Sequence, residues 1–154
     1  MVELDADKPL GVDVLIAGGG GVGLALALSL HQASSGALRI AIAEPHPNRA
    51  TPRGRAYAIA AATRAFLDRL GLWPRLAADA QPIRSMRITD SRVQDPVRPA
   101  WLSFDGGEPP LAHILDEADL IGALREAAAA AAIPILPAGV ASFSAGLARL
   151  DVAL

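Results

Sequence analysis

Val12 to Ala17 is an apolar run interrupted only by Asp13, and it ends at a glycine, which predicts a short buried strand. From Gly20 to about Ser34 the apolar positions run nearly all round a helical projection, so a buried helix is expected. Ser34, Ser35 and Gly36 end it. Leu38 to Ala43, Leu-Arg-Ile-Ala-Ile-Ala, predicts a second strand. Strand, helix and strand within roughly 30 residues make a βαβ crossover, which joins parallel strands.

Pro45, Pro47, Asn48, Pro52 and Gly54 make Glu44 to Gly54 a loop. The spacing over Ile59 to Leu70 predicts a second helix. Its apolar face is Ile59, Thr63, Phe66, Leu67 and Leu70, opposite Arg64, Asp68 and Arg69. Gly71 suits its C-cap, and Pro74 opens a further helical turn. Ile83 to Asp90 alternates and predicts a half-buried strand; Ala100 to Phe104 is its expected antiparallel partner across the polar loop Ser91 to Pro99. Asp116 to Ala132 predicts a third helix, with Asp116 as N-cap and Asp119 in its first turn. Pro134 ends it, and Ile133 to Leu136 is expected to return to the parallel sheet. Val140 to Leu154 reads as one or two weak strands. The expected fold class is α/β: a parallel sheet with flanking helices and a small antiparallel crossover.

Composition narrows the classes. The 154 residues suit one domain and can bury a core. An apolar content of 52% and a net charge of −2 argue against disorder. With 14 basic against 16 acidic residues and no basic run, no nucleic-acid partner is expected. The absence of cysteine excludes a disulfide framework, a thiol nucleophile and a zinc–thiolate site. Lys8 is the sole lysine, and alanine is abundant, including the run Ala127 to Ala132; both fit a GC-rich bacterial source. Val14 to Leu30 is uncharged but too short for a membrane span and broken by four consecutive glycines. Glu3, Asp5, Asp7 and Asp13 precede it against Lys8 alone, so it lacks the positive start of a signal peptide. A cytoplasmic location is the expectation.

The chemistry-bearing signal is Gly18-Gly19-Gly20-Gly21-Val22-Gly23, a match to G-x-G-x-x-G placed between a predicted strand and a predicted helix. Gly18 allows the tight turn, Gly20 lets backbone approach a pyrophosphate, and Gly23 lets the helix pack close. The helix N-terminus offers free N–H groups to the anion. Glu44 ends the second strand, 21 residues after Gly23, where a carboxylate can accept both ribose hydroxyls of an adenosine. It would repel a 2′-phosphate, which disfavours NADP at this site. The pattern is that of a Rossmann-like FAD/NAD(P)-binding domain, and by itself it does not choose between FAD and NAD.

Further segments add a resemblance. Arg55-Ala56-Tyr57-Ala58-Ile59, then Leu67 to Leu72 with Trp73, then Pro82-Ile83-Arg84-Ser85-Met86-Arg87-Ile88-Thr89-Asp90, and Leu111 to Ala123, together resemble the FAD-dependent aromatic hydroxylases of ubiquinone biosynthesis. That family comprises group A flavoprotein monooxygenases such as 2-octaprenyl-6-methoxyphenol hydroxylase. The resemblance covers about residues 12–145. It implies FAD as cofactor, NAD(P)H as electron donor and O2 as co-substrate. The implied substrate is a small phenol or polyprenyl-phenol, which would bring the full enzyme into peripheral contact with the inner membrane. Carried over, Gly18, Gly19, Gly20, Gly21, Val22 and Gly23 hold the pyrophosphate and Glu44 the ribose. Arg55 reaches the flavin side, and Val140 touches the adenine through its backbone. The chain departs from the family pattern at Arg53, where an acid is common, and at Ala118, where an arginine is common. His113 stands where relatives place a residue facing the flavin, although a structural role is expected for it here. His31 is read as a helix-surface residue and His46 as a loop residue. Asp116, Glu117 and Asp119 are read as helix-capping residues, and no metal site is expected. The catalytic residues stay unassigned.

The family's second flavin motif, of the G-D-A-x-H kind, and its substrate domain do not occur in this sequence. Residues 1–154 are therefore expected to be an incomplete, truncated N-terminal FAD-binding domain, inactive alone. An NAD-dependent oxidoreductase, a flavin reductase and a degenerate nucleotide-binding module are the alternatives.

Overall fold

The computed structural model describes residues 10–92 and 94–154. Glu3, Asp5, Asp7 and Lys8, invoked above against a signal peptide, lie outside the described residues, as does Val93 of the polar loop. In chain order the elements begin with β1 (Val14–Ala17), α1 (Gly21–Ala33), β2 (Ile40–Ala43), β3 (Ala56–Ala60), α2 (Ala61–Arg69) and α3 (Trp73–Leu76). There follow β4 (Gln81–Ile83), β5 (Ser85–Ile88), β6 (Leu102–Asp105), β7 (Ala112–Asp116) and α4 (Glu117–Ala130). The chain ends with β8 (Ile135–Leu136), β9 (Ser142–Ala145) and β10 (Leu150–Ala153). They fall into two compact units, Met1–Pro52 with Leu120–Leu154, and Arg53–Asp119.

The first unit holds a parallel sheet in the order β1-β2-β8. Its central strand β2 is buried at all four positions, the signature of a parallel strand covered on both faces. Val14 pairs with Ile40 and Ala17 with Ala43, so the strands end in step where the glycines begin. Leu24, Ile42, Leu124 and Leu136 are fully buried and form the heart of this unit. The helix α1 is buried along one stripe, Leu24, Ala27 and Leu28, while Val22 and Leu26 are exposed. The all-round burial expected from its composition is thus corrected, because one stripe is what a helix lying on a sheet covers. The return of β8 to the parallel sheet is as expected. β9 and β10 pair as an antiparallel hairpin with Phe143 opposite Val152.

The second unit is antiparallel and larger than the small crossover expected from sequence. Its sheet runs β3-β7-β4, and β5-β6 forms a separate hairpin. Three expectations are corrected here. Ile59 does not start a helix. Ala-Tyr-Ala-Ile-Ala alternates, and pairing with β7 makes it a strand that buries Ile59 against His113. The expected strand over Ile83 to Asp90 is two strands in two sheets. The chain changes partner at Arg84, whose carbonyl accepts from the Gly106 N–H at 2.8 Å. Pro82 is tolerated because β4 is an edge strand. The expected half-burial of that segment is also absent: Met86, Ile88, Leu102 and Phe104 share one exposed face of the β5-β6 hairpin. The core of this unit is Ile59, Leu67, Trp73, Leu76 and Leu115.

Candidate functional site

The turn between β1 and α1 is made by glycines for two steric reasons. Gly18 has φ of +107°, a region closed to most side chains. At Gly23 a Cβ would sit 2.0 Å from the Gly18 carbonyl oxygen, so the first turn of α1 rests directly on the loop backbone. Around Gly20, by contrast, nothing among the described residues lies within 4 Å of where a Cβ would be. Gly20 is the N-cap of α1; no side chain caps this end and no acid occupies its first turn. Among the described residues no side chain caps the orphan N–H groups of that turn.

Glu44 is drawn into the same loop. Its Oε2 accepts from the Gly19 N–H at 2.8 Å and its Oε1 from the His46 N–H at 2.9 Å. These two backbone donors hold the carboxyl below its ordinary range, helped by the charge of Arg125 and against a desolvation penalty. An ionised carboxylate is thereby fixed beside the free end of a helix. Gly21 leaves room for Ile121 of α4, whose Cδ1 would lie 3.3 Å from a Cβ there.

An open groove of ≈ 620 Å³ starts at the residue after Glu44 and is lined by Pro45, His46, Pro47, Asn48, Arg49 and Pro137. Three of these six residues are prolines, whose rings offer apolar surface to a planar ring. Arg125 donates to the Arg49 carbonyl at 3.3 Å and braces the far end of the loop. The sequence alone reads this stretch as a plain loop; Pro45 and Pro47, close after the acid, are the signal it offers. Val140 is exposed and does not line the groove, but the preceding Gly139 approaches Pro45.

Arg55 lies in the second unit. Its Nε is 3.7 Å from Glu117 Oε2, and its guanidinium stands 5.5 Å from the centre of the Tyr57 ring. His113, half-buried, packs edge-on against the buried Trp73, ring centres 4.9 Å apart. Asp116 caps α4 through the Ala118 N–H at 2.8 Å and also takes the Gly54 N–H at 3.2 Å. Asp119 pairs with Arg53 at 3.1 Å.

A parallel βαβ unit, a glycine turn with an open helix N-terminus and a carboxylate at the end of the second strand define an α/β nucleotide-binding domain. The sequence matches the family described as FAD binding domain over residues 11–138, and the chain belongs to it. Among solved structures, the flavin-dependent monooxygenase PieE, in complex with FAD and substrate, superposes with a TM-score of 0.72 at 21% identity, over 94% of this chain and 27% of that one. The p-nitrophenol 4-monooxygenase PnpA from Pseudomonas putida DLL-E4 gives 0.73 at 21%, over 90% and 35%. The Diels-Alderase PyrE3 of pyrroindomycin biosynthesis gives 0.66 at 23%, over 90% and 28%. The chain thus spans about a third or less of these proteins. No curated protein sequence matches it.

Proposed function

We propose that this chain is the FAD-binding part of a flavin-dependent monooxygenase that hydroxylates an aromatic ring. The observation that carries the reading is the Gly19–Glu44 hydrogen bond beside the uncapped end of α1, with open space over Gly20. The residues present fit the ADP half of FAD. The N–H groups of Gly20 to Gly23 would take the pyrophosphate, Glu44 the ribose hydroxyls, and the groove over Pro45, Pro47 and Pro137 the adenine. Arg55, in the second unit, is assigned to the cofactor by the sequence resemblance alone, as a cationic fork for pyrophosphate or ribityl oxygens. Bound FAD supplies the redox chemistry, accepting electrons from NAD(P)H and activating O2. The chain's own part is to bind and orient the cofactor.

The finer reading is a bacterial, cytoplasmic enzyme acting on a polyprenyl-phenol of ubiquinone biosynthesis, with peripheral contact to the inner membrane. It is supported by the sequence segments at Arg55 to Ile59, Leu67 to Trp73 and Pro82 to Asp90. A second reading, a nucleotide-binding protein doing other chemistry, draws on the Diels-Alderase sharing the fold.

The test is binding of FAD, ADP, NAD and NADP to the 154-residue chain, read by fluorescence or calorimetry. FAD and ADP are expected to bind, NADP to bind worst, and Glu44→Arg to weaken FAD. Retention of NAD without FAD overturns the proposal. Turnover of polyprenyl-phenol against short soluble phenols by a longer protein carrying this domain tests the finer reading.

A further inference from the structure

We infer that Glu117 is a positioning residue, which restrains the Arg55 guanidinium while leaving its terminal nitrogens open to an anion; this rests on Arg55 contacting FAD as proposed above. Glu117 grips Arg55 at two levels. Its backbone N–H donates to the Arg55 carbonyl at 2.7 Å, joining the start of α4 to the start of β3. Its carboxylate, only 19% exposed, is divided between two partners. Oε1 accepts from the Tyr57 hydroxyl at 2.8 Å, and Oε2 faces Arg55 Nε at 3.7 Å.

Tyr57 completes the clamp, since its ring lies under the Arg55 guanidinium. The Glu117 hydrogen bond raises the Tyr57 phenol above its ordinary range, so the phenol stays a donor. Arg55 is thus engaged through its carbonyl, its Nε and one face of its guanidinium. Its two terminal nitrogens make no hydrogen bond among the described residues, and its side chain is 71% exposed.

The neighbouring acids are differently employed. Asp116 is used by the Gly54 and Ala118 N–H groups, and Asp119 draws a terminal nitrogen of Arg53. Of the two arginines flanking Gly54, Arg55 therefore keeps its fork open. An exposed ion pair of this length contributes little to stability. Its effect is to restrict a long side chain before a ligand arrives, which reduces the ordering lost on binding.

The test is a double-mutant cycle on FAD affinity, using Arg55→Ala, Glu117→Gln and the pair. Arg55→Ala is expected to weaken FAD by about tenfold, as for loss of a charged hydrogen-bonding partner. Glu117→Gln should weaken it roughly three- to tenfold with Arg55 present and leave it unchanged in Arg55→Ala. Tyr57 is the sole tyrosine, so tyrosinate absorbance reports it alone. Its titration should move down in Glu117→Gln while the fold is kept. Tyr57→Phe, which retains the ring, provides a second variant, with a smaller loss that also requires Arg55. Equal effects of Glu117→Gln in both backgrounds, or none in either, overturn the positioning role while leaving Arg55 in place. An unchanged affinity in Arg55→Ala removes Arg55 from the site and the inference with it. Failure of the unaltered chain to bind FAD overturns the proposed function itself.

Discussion

Gly19 donates its N–H to Glu44 Oε2 at 2.8 Å, and a Cβ on Gly19 would lie 3.0 Å from the Glu44 Cβ. The second glycine of the turn is therefore specified by the acid 25 residues later. Its role is to admit a carboxylate to the loop. The two halves of the nucleotide fingerprint are one hydrogen-bonded unit, and the acid is oriented before any ligand arrives.

Glu44 should accordingly stabilise the fold in a pH-dependent way. Its folded pKa lies below the ordinary 4.5, so the native state favours the ionised form. That stability is complete above the unfolded value and fades as pH falls through the folded one. Glu44→Gln keeps an acceptor oxygen but no charge. It should be less stable than the parent at neutral pH, and the gap should close in acid. Urea midpoints at neutrality and at about pH 3 measure this. Parallel curves would show that the two backbone hydrogen bonds do not depend on charge.

Gly23 and Gly20 of the turn differ in what the fold requires of them. Gly23→Ala forces a methyl against the Gly18 carbonyl and should cost about 3 kcal/mol or prevent folding. Gly20→Ala meets no atom within 4 Å and has an ordinary φ of −77°, so it should cost about 1 kcal/mol or less. FAD affinity should nevertheless fall by about tenfold, because the methyl stands where the pyrophosphate would approach. Gly122→Ala, inside α4 and also unobstructed, is the control and should stabilise by about 0.5–1 kcal/mol. Thermal melts and FAD titrations of the three variants separate folding from binding. A Gly20→Ala chain with full FAD affinity would place the pyrophosphate elsewhere.

The first unit was legible from sequence because its signals are local. The glycine turn, the apolar run of β2 and the helix between them lie within one short crossover. The second unit was less so, because its strands are defined by distant partners. Ala56–Ala60 becomes a strand by lying against β7, more than 50 residues away, and its alternation also fits the start of a helix. Ile83 and Ser85 belong to different sheets, although the alternation runs through Arg84 without a break. At the site, Gly18, Gly23 and Glu44 could be located from spacing. The groove wall from Pro45 to Arg49 could not, since proline marks a loop without telling what the loop encloses. Nor could the grip of Glu117 on Arg55, which depends on β3 and the start of α4 meeting.

His113 gives a last, opposite pH effect. Its ring lies edge-on to Trp73, whose other neighbour is the Arg64 guanidinium, 5.2 Å from the indole centre. A small cavity of ≈ 180 Å³ adjoins it, walled by Ala61, Arg64, Ala65, Asp68, Pro109 and Pro110. Burial, then the Arg64 charge, pushes the imidazole below its ordinary 6.5. The unfolded chain thus takes up a proton that the native state resists. Stability from this group is intact above 6.5, falls as pH drops through it, and stops falling below the folded value. His113→Gln should flatten that loss in urea midpoints. Arg64→Gln should move the His113 resonance titration back toward 6.5 without restoring it fully, since burial is the larger cause. An imidazole that titrates at or above 6.5 in the folded chain would contradict its packing against Trp73.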